Sequence, residues 1–284
     1  MLEHPRFLLL QVRNDGDPIR GHEVSCFVRA LGTENGKLEV FNLLSGAAAS
    51  ALLDSVDIVL IGGSGDHSVV RGGSWLPAAL DTMVGLYELS KPTVASCWGF
   101  QALARALGGE VVTDHERAEV GTVRMELTPE GVRDPVFGPL RPGFPVQIGH
   151  EDIVTTLPAN AVLLASSETI ENEAFRFRDK PIYATQFHPE LDRAGLIARV
   201  ARYPTYLPLT GASTLDEFRA RTPETAEAES LLPRFVEHVL GEGAREGGGR
   251  EVEAGAELAR NSGGAWGRVP RLIGFRFKPK SSPA

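Results

Sequence analysis

The sequence predicts an α/β domain, in which a mostly parallel central sheet is flanked by helices and followed by a helical C-terminal extension. Three observations carry this. Short apolar runs bounded by turn residues recur up to Leu191, helical stretches lie between several of them, and the pattern becomes purely helical afterwards. Runs of roughly four to eight apolar residues read as buried strands, and strands alternating with helices imply a sheet covered on both faces.

Phe7–Val12 is the first such run, followed by a helix over His22–Leu31. Val56–Ile61 is the next strand and Trp75–Leu89 the next helix. Pro92–Ser96 is a strand that leads directly into a helix over Gly99–Leu107, stopped by the pair Gly108–Gly109 in the usual C-terminal position. Between Val111 and Thr128 the alternation is more open, as in GTVRMELT, and predicts a hairpin or edge strands. Phe144–Ile148, Ala161–Ala165 and Ile182–Gln186 complete the strands; Pro145 removes a ladder donor and suits only an edge or a strand start. Ala194–Arg202 and Thr214–Arg219 are short helices. Thr225–Leu240 is a longer one, with Leu231, Leu232, Phe235, Val236 and Val239 at helical spacing and Pro233 positioned to kink or split it. Residues 1–240 thus read as one domain closed by the helical segment 192–240, and the glycine-rich 241–284 as a flexible tail.

The 284 residues are 42% hydrophobic and 23% charged, enough for a core that needs neither disulfide nor structural metal. A formal net charge of −8 argues against nucleic acid as the main partner, because phosphate binding needs a clustered positive surface. The basic residues Arg268, Arg271, Arg276, Lys278 and Lys280 read as a solvated tail. Cys26 and Cys97 form no disulfide framework, the start MLEHPRFLLLQVR holds too short an apolar run for a secretion signal, and no segment approaches a membrane span. The expected compartment is the reducing cytoplasm, with no membrane partner.

Three segments carry chemistry. In KPTVASCWGFQALARALGG a β-branched strand meets an alanine-rich helix at Cys97. A cysteine at a helix N-terminus meets unsatisfied N–H groups and a dipole that favour the thiolate. Ala95 and Gly99 supply the small neighbours of a nucleophile elbow, whose next N–H, from Trp98, would face a developing oxyanion. Free cysteines are more often buried and inert, so this turn alone does not decide. In PIYATQFHPE a strand ends at His188-Pro189-Glu190, and residues two apart in extended chain share a side, so a carboxylate can orient the imidazole. In VDIVLIGGSGDHS a buried strand runs into Gly62, Gly63, Ser64 and Gly65, where a backbone N–H could be a second oxyanion donor. The loop lacks the Gly-Lys-Ser/Thr of a P-loop and the GxGxxG of a dinucleotide site.

Together these segments resemble the class I glutamine amidotransferase family, closest to the glutaminase domain of GMP synthase and its stand-alone relatives. ASCWGFQ is similar to the family's Gly-x-Cys-x-Gly-x-Gln motif, with Ala95 where glycine is usual. QFHPE matches its His-Pro-Glu motif, and IGGSGDHS is similar to its oxyanion loop. Glu119-Val-Gly121 resembles its Glu-x-Gly segment, and GHEDIVTTLP its Ser-His-x-Asp stretch, with Gly149 where serine is common. The likeness covers roughly residues 5–192 and implies a flavodoxin-like sheet. About 35 residues, Asp192–Ala226, intervene before the closing helix, and no synthetase domain follows. The resemblance implies that Cys97 attacks the glutamine side-chain amide, that Gly63 and Trp98 hold the oxyanion, and that His188, oriented by Glu190, moves the proton. It implies Gln101 in glutamine binding, with His150 and Asp152 bordering the pocket and His150 without a catalytic role. No cofactor or metal is implied. The partners implied are glutamine or a γ-glutamyl compound, and a separate ammonia-accepting synthase subunit; the oligomeric state stays open, with a homodimer among the options. A γ-glutamyl peptidase on the same scaffold and a non-catalytic binding or regulatory module remain alternatives.

Overall fold

A computed structural model describes residues 5–33 and 37–241, so the tail expectation for 241–284 lies, beyond its first residue, outside the described residues. The strands are β1 (Phe7–Gln11), β2 (Leu38–Asn42), β3 (Ile58–Ile61), β4 (Thr93–Ser96), β5 (Glu110–Thr113), β6 (Glu119–Leu127), β7 (Phe144–His150), β8 (Asp152–Thr156), β9 (Ala161–Ser166), β10 (Ala174–Phe177) and β11 (Ile182–Thr185). The helices are α1 (Ile19–Leu31), α2 (Ser50–Asp54), α3 (Leu76–Glu88), α4 (Trp98–Ala106), α5 (Pro129–Arg133), α6 (Arg193–Arg202), α7 (Leu215–Arg221) and α8 (Ala226–Glu229), followed by a helix over residues 231–241. Among the described residues no helix is long and apolar enough to cross a membrane.

One nine-stranded mixed sheet runs in the order β2-β1-β3-β4-β11-β10-β9-β6-β7. It is parallel from β2 to β11 and antiparallel from β11 to β7. The period-2 alternation of side chains divides the apolar strands between two cores. Leu8, Leu10, Val59 and Ile61 face one, with Met83 of α3 and Leu103 of α4. Phe7, Leu9, Ile58 and Leu60 face the other, with Phe27 of α1 and Leu231, Leu232 and Phe235 of the closing helix. Strands buried on both faces read as continuous apolar runs, which is why FLLL and IVLI stand out.

One expectation is corrected and two are met in detail. The stretch 111–128 is not a hairpin: β5 pairs with β8 in a separate two-stranded sheet, while β6 joins the large sheet. β7 is the sheet's edge, the position that tolerates Pro145. Thr225–Leu240 is two helices interrupted at Ser230, because a proline ring clashes with the carbonyl four residues earlier, here that of Glu229 at the end of α8.

The 192–226 insertion is ordered. Asp192 caps α6 by accepting from the Gly195 N–H at 2.6 Å. α6, two single turns and α7 then enclose their own cluster of Leu196, Ile197, Val200, Ala212 and Phe218. Tyr203 donates to Asp17 at 2.9 Å and Tyr206 to the Gly65 carbonyl at 3.2 Å, which ties the insertion across the loops that follow β1 and β3.

Candidate active site

The parallel pair β4 and β11 brings the segment of Cys97 and that of His188 and Glu190 to one edge. Thr185 pairs with Ser96, and the Cys97 N–H donates to the Thr185 carbonyl at 2.8 Å. Cys97 follows β4 directly and forms the N-cap of α4. Its backbone lies at φ 52° and ψ −103°, a left-handed conformation that costs a non-glycine residue about 1–3 kcal/mol. Such strain turns the thiol out of the sheet onto the helix N-terminus, where first-turn N–H groups, including that of Trp98, have no intrahelical acceptor. The turn closes only because Gly99 has no side chain: a Cβ there would lie 2.7 Å from Ile61 Cγ2 and 3.1 Å from Ala95 Cβ.

His188 and Glu190 stand side by side, with the imidazole Nδ1–H donating to Glu190 Oε1 at 2.6 Å. Both side chains are buried. Burial by itself would pull the imidazole down from its ordinary 6.5, but the Glu190 charge overrides this and raises it, aided by Cys97. Burial likewise works against ionisation of Glu190, and the His188 charge and hydrogen bond hold it below its ordinary 4.5. Gly63 closes the group from the loop after β3. A Cβ on it would lie 2.8 Å from His188 Cε1 and 3.5 Å from Cys97 Cβ, so the backbone runs against the Cys97 and His188 side chains together.

Arg199 of α6 joins this group unannounced by any motif. Its Nη2 donates to Glu190 Oε1 at 3.4 Å, and its Nη1 lies 3.3 Å from His188 Nδ1. A signal was present: Leu196, Arg199, Val200 and Tyr203 recur at helical spacing on one face, and a cation within an apolar stripe marks a buried partner.

Cys97 opens onto two adjoining clefts, with about 70 and 60 Å³ of space for the centre of a water-sized molecule. Gln101, His150 and Asp152 all line the first, together with Arg71 and Glu151, which sequence reasoning had not singled out. Within it the Gln101 amide nitrogen, the Asp152 carboxylate and His150 Nδ1 already have protein partners, whereas His150 Nε2 has no hydrogen bond and lies 3.6 Å from Glu119 Oε2. Gln101 donates to the Asp152 carbonyl at 2.8 Å and to Gln186 Oε1 at 3.1 Å. The Asp152 carboxylate accepts from Ser68 and Thr113, each at 2.5 Å. His150 Nδ1 faces the Asp152 carbonyl at 3.1 Å. The second cleft lies on the imidazole side, between His188, α6 and Tyr203.

Glu119, His150 and Glu173 are the described residues whose donor atoms converge, within 4.8 Å of one another, and which could hold a metal ion. Burial, then the Glu119 charge, pushes the Glu173 carboxyl well above its ordinary 4.5. A proton on Glu173 therefore relieves the repulsion between the two carboxyls without an ion.

Residues 25–194 match the family Glutamine amidotransferase class-I. The chain is 35% identical over 123 residues to one subunit of the glutamine-hydrolysing GMP synthase of Methanothermobacter thermautotrophicus, a stretch that spans 43% of this chain and 64% of that relative, under two thirds of its length. It is 28% identical over 245 residues to gamma-glutamyl peptidase 4 of Arabidopsis thaliana, spanning 84% of this chain and 95% of that one. The fold matches the crystal structure of a glutamine amidotransferase from Thermotoga maritima at a TM-score of 0.66 and 18% identity, over 83% of this chain and 98% of that one.

Proposed function

The chain belongs to the class-I glutamine amidotransferase family, and within it we propose that Cys97 hydrolyses a γ-glutamyl amide, glutamine first, through a γ-glutamyl thioester. The observation that carries this is the convergence of Cys97, His188 and Glu190 at one sheet edge, with Gly63 against the first two.

The geometry supports the following sequence. The Cys97 thiolate adds to the γ-carbonyl carbon, and the N–H groups of Gly63 and Trp98 receive the oxyanion. The carbon–nitrogen bond breaks as His188 transfers its proton to the departing nitrogen. Water then adds to the thioester, with neutral His188 taking one of its protons, and releases glutamate and the thiolate. Glu190 fixes the imidazole tautomer throughout. The free thiol this requires belongs with a reducing, cytoplasmic setting.

The relative among GMP synthase subunits supports a separate synthase chain as consumer of the ammonia. A second reading, a γ-glutamyl peptidase, is favoured by one observation: the relative of that name aligns over 84% of this chain, a span that must take in the 192–226 insertion, which lies almost wholly outside 25–194. Glutamate release by the wild type and by Cys97→Ala, with and without a synthase subunit, tests the thioester route. A fall of at least about a thousandfold is expected; wild-type turnover in the variant would end it.

A further inference from the structure

We propose that the cleft on the imidazole side receives the amine half of the substrate, and that this chain acts best on γ-glutamyl amides whose nitrogen carries an apolar chain of several carbons. The proposal rests on the thioester reading above and names its substrate class.

Attack at Cys97 leaves a bound amide three directions. The oxyanion points to the N–H groups of Gly63 and Trp98. The departing nitrogen must lie where His188 can deliver a proton, hence on the imidazole side. The glutamyl chain takes the remaining direction, into the first cleft, where Arg71 and Glu151 offer a cation and an anion to its carboxylate and ammonium ends.

Ammonia is about the size of one water molecule, which needs roughly 10–15 Å³ of space for its centre. The cleft on the imidazole side offers about 60 Å³ of such space, room for a chain of several heavy atoms. Its walls include Ile19, Leu191, Leu196 and Val200, side chains with nothing to offer ammonia and much to offer hydrocarbon. Arg13 and Arg199 also reach it: Arg13 pairs with Glu23 and Asp17, each at 2.9 Å, whereas Arg199 lies 3.4 Å from Glu190, which it shares with His188, and keeps a buried Nε without a hydrogen bond. Arg13 therefore asks no carboxylate of an occupant, and whether Arg199 does is read from the paired substrates below. Each methylene of an amine chain removed from water there favours binding roughly fourfold.

On turnover, the carbon–nitrogen bond breaks, the His188 proton goes to that nitrogen, and the apolar amine leaves. Water then hydrolyses the thioester to glutamate as before.

The test is kcat/KM of the full chain on glutamine and on γ-glutamyl methyl-, butyl- and isoamylamide, with γ-glutamyl-leucine beside them. A rise with chain length is expected, to at least tenfold over glutamine. Isoamylamide and γ-glutamyl-leucine share the apolar branch and differ by a carboxylate, so the faster one identifies whether the amine is a simple amine or an amino acid. Val200→Phe should lower the isoamylamide-to-glutamine ratio at least tenfold, and Leu196→Ala should raise the ratio for a phenethylamide. Glutamine equal to or faster than every alkylated amide overturns the proposal, as do unchanged ratios in whichever variant folds. If neither variant folds, the wild-type series decides. Cys97-dependent hydrolysis that prefers glutamine sinks this inference alone, whereas hydrolysis that survives Cys97→Ala sinks the thioester reading beneath it.

Discussion

Cys97 holds a backbone conformation, φ 52° with ψ −103°, that only glycine adopts without strain. Stability and reactivity therefore oppose each other at one residue. Cys97→Gly is expected to be more stable than Cys97→Ala by about 1–2 kcal/mol, read from urea midpoints, although both lack the thiol; equal midpoints would mean the elbow is unstrained. Cys26, the other free cysteine, is pushed up to about 11, mainly by burial, and is a neutral thiol near pH 7. A glutamine-like electrophile at neutral pH should label Cys97 and spare Cys26, as peptide mass mapping would reveal; prior labelling of Cys26 would contradict this. The His188–Glu190 pair adds a pH signature. His188 is raised, so its contribution to stability is full below its ordinary 6.5 and is withdrawn as the pH climbs through the raised folded value. Glu190 is lowered, so its contribution is present above its ordinary 4.5 and is withdrawn as the pH falls toward the lowered one. The destabilisation caused by Glu190→Gln should then be greatest between about pH 4.5 and 6.5 and should shrink toward alkaline pH. A pH-independent difference in unfolding midpoint would argue against a charged pair.

At the scale of elements, the site depends on how closely α4 approaches the sheet. Gly99 lies against Ile61 of β3 and Ala95 of β4, at distances that leave no room for a Cβ. Gly99→Val should cost at least about 2 kcal/mol and lower kcat as α4 is pushed away from the thiol; an unchanged urea midpoint would mean that the helix can move freely. These contacting elements were legible in the sequence because β1, β3, β4 and β11 are short, apolar and bounded by turns, and because motifs with chemical roles sit at their ends. The elements that escaped are polar or exposed. β2 reads LEVFN, with Glu39 and Val40 at the surface. β10 reads AFRF, and its Arg176 is accommodated only by a bond to Asp134 at 2.9 Å, a partner that no local pattern indicates. β8 follows β7 after Glu151 alone and blends into it. Likewise the meeting of Cys97, His188 and Glu190 was readable because the three lie in two short segments at the ends of neighbouring strands. Arg71, Glu151 and Tyr206 reach the clefts by tertiary folding of surface loops and an insertion, which single-chain spacing does not encode, and Arg199 and Tyr203 left only the helical spacing of α6 as a sign.

Over the whole described chain, each face of the sheet is covered by different parts of the sequence. One core is covered by α3 and α4, but the other relies on residues 231–241, whose Leu231, Leu232 and Phe235 are buried in one cluster with Phe7, Leu9 and Tyr183. The closing helix thus covers the face opposite α3 and α4, and on this basis the domain is proposed to end near residue 240. A chain stopped after Gly241 should melt within a few degrees of the full chain and keep its kcat/KM on a γ-glutamyl amide within about twofold. A chain stopped after Glu229 should behave very differently. Removing three fully buried apolar side chains forfeits about 1.5–3 kcal/mol each, a sum comparable with the roughly 5–15 kcal/mol that holds a domain of this kind together. That shorter chain should therefore show no cooperative unfolding transition by circular dichroism and no turnover, even though Cys97, His188 and Glu190 are all present in it. If it folded and turned over, the second core would be complete without its last helix; if the chain ending at Gly241 also failed, residues beyond it would be part of the fold.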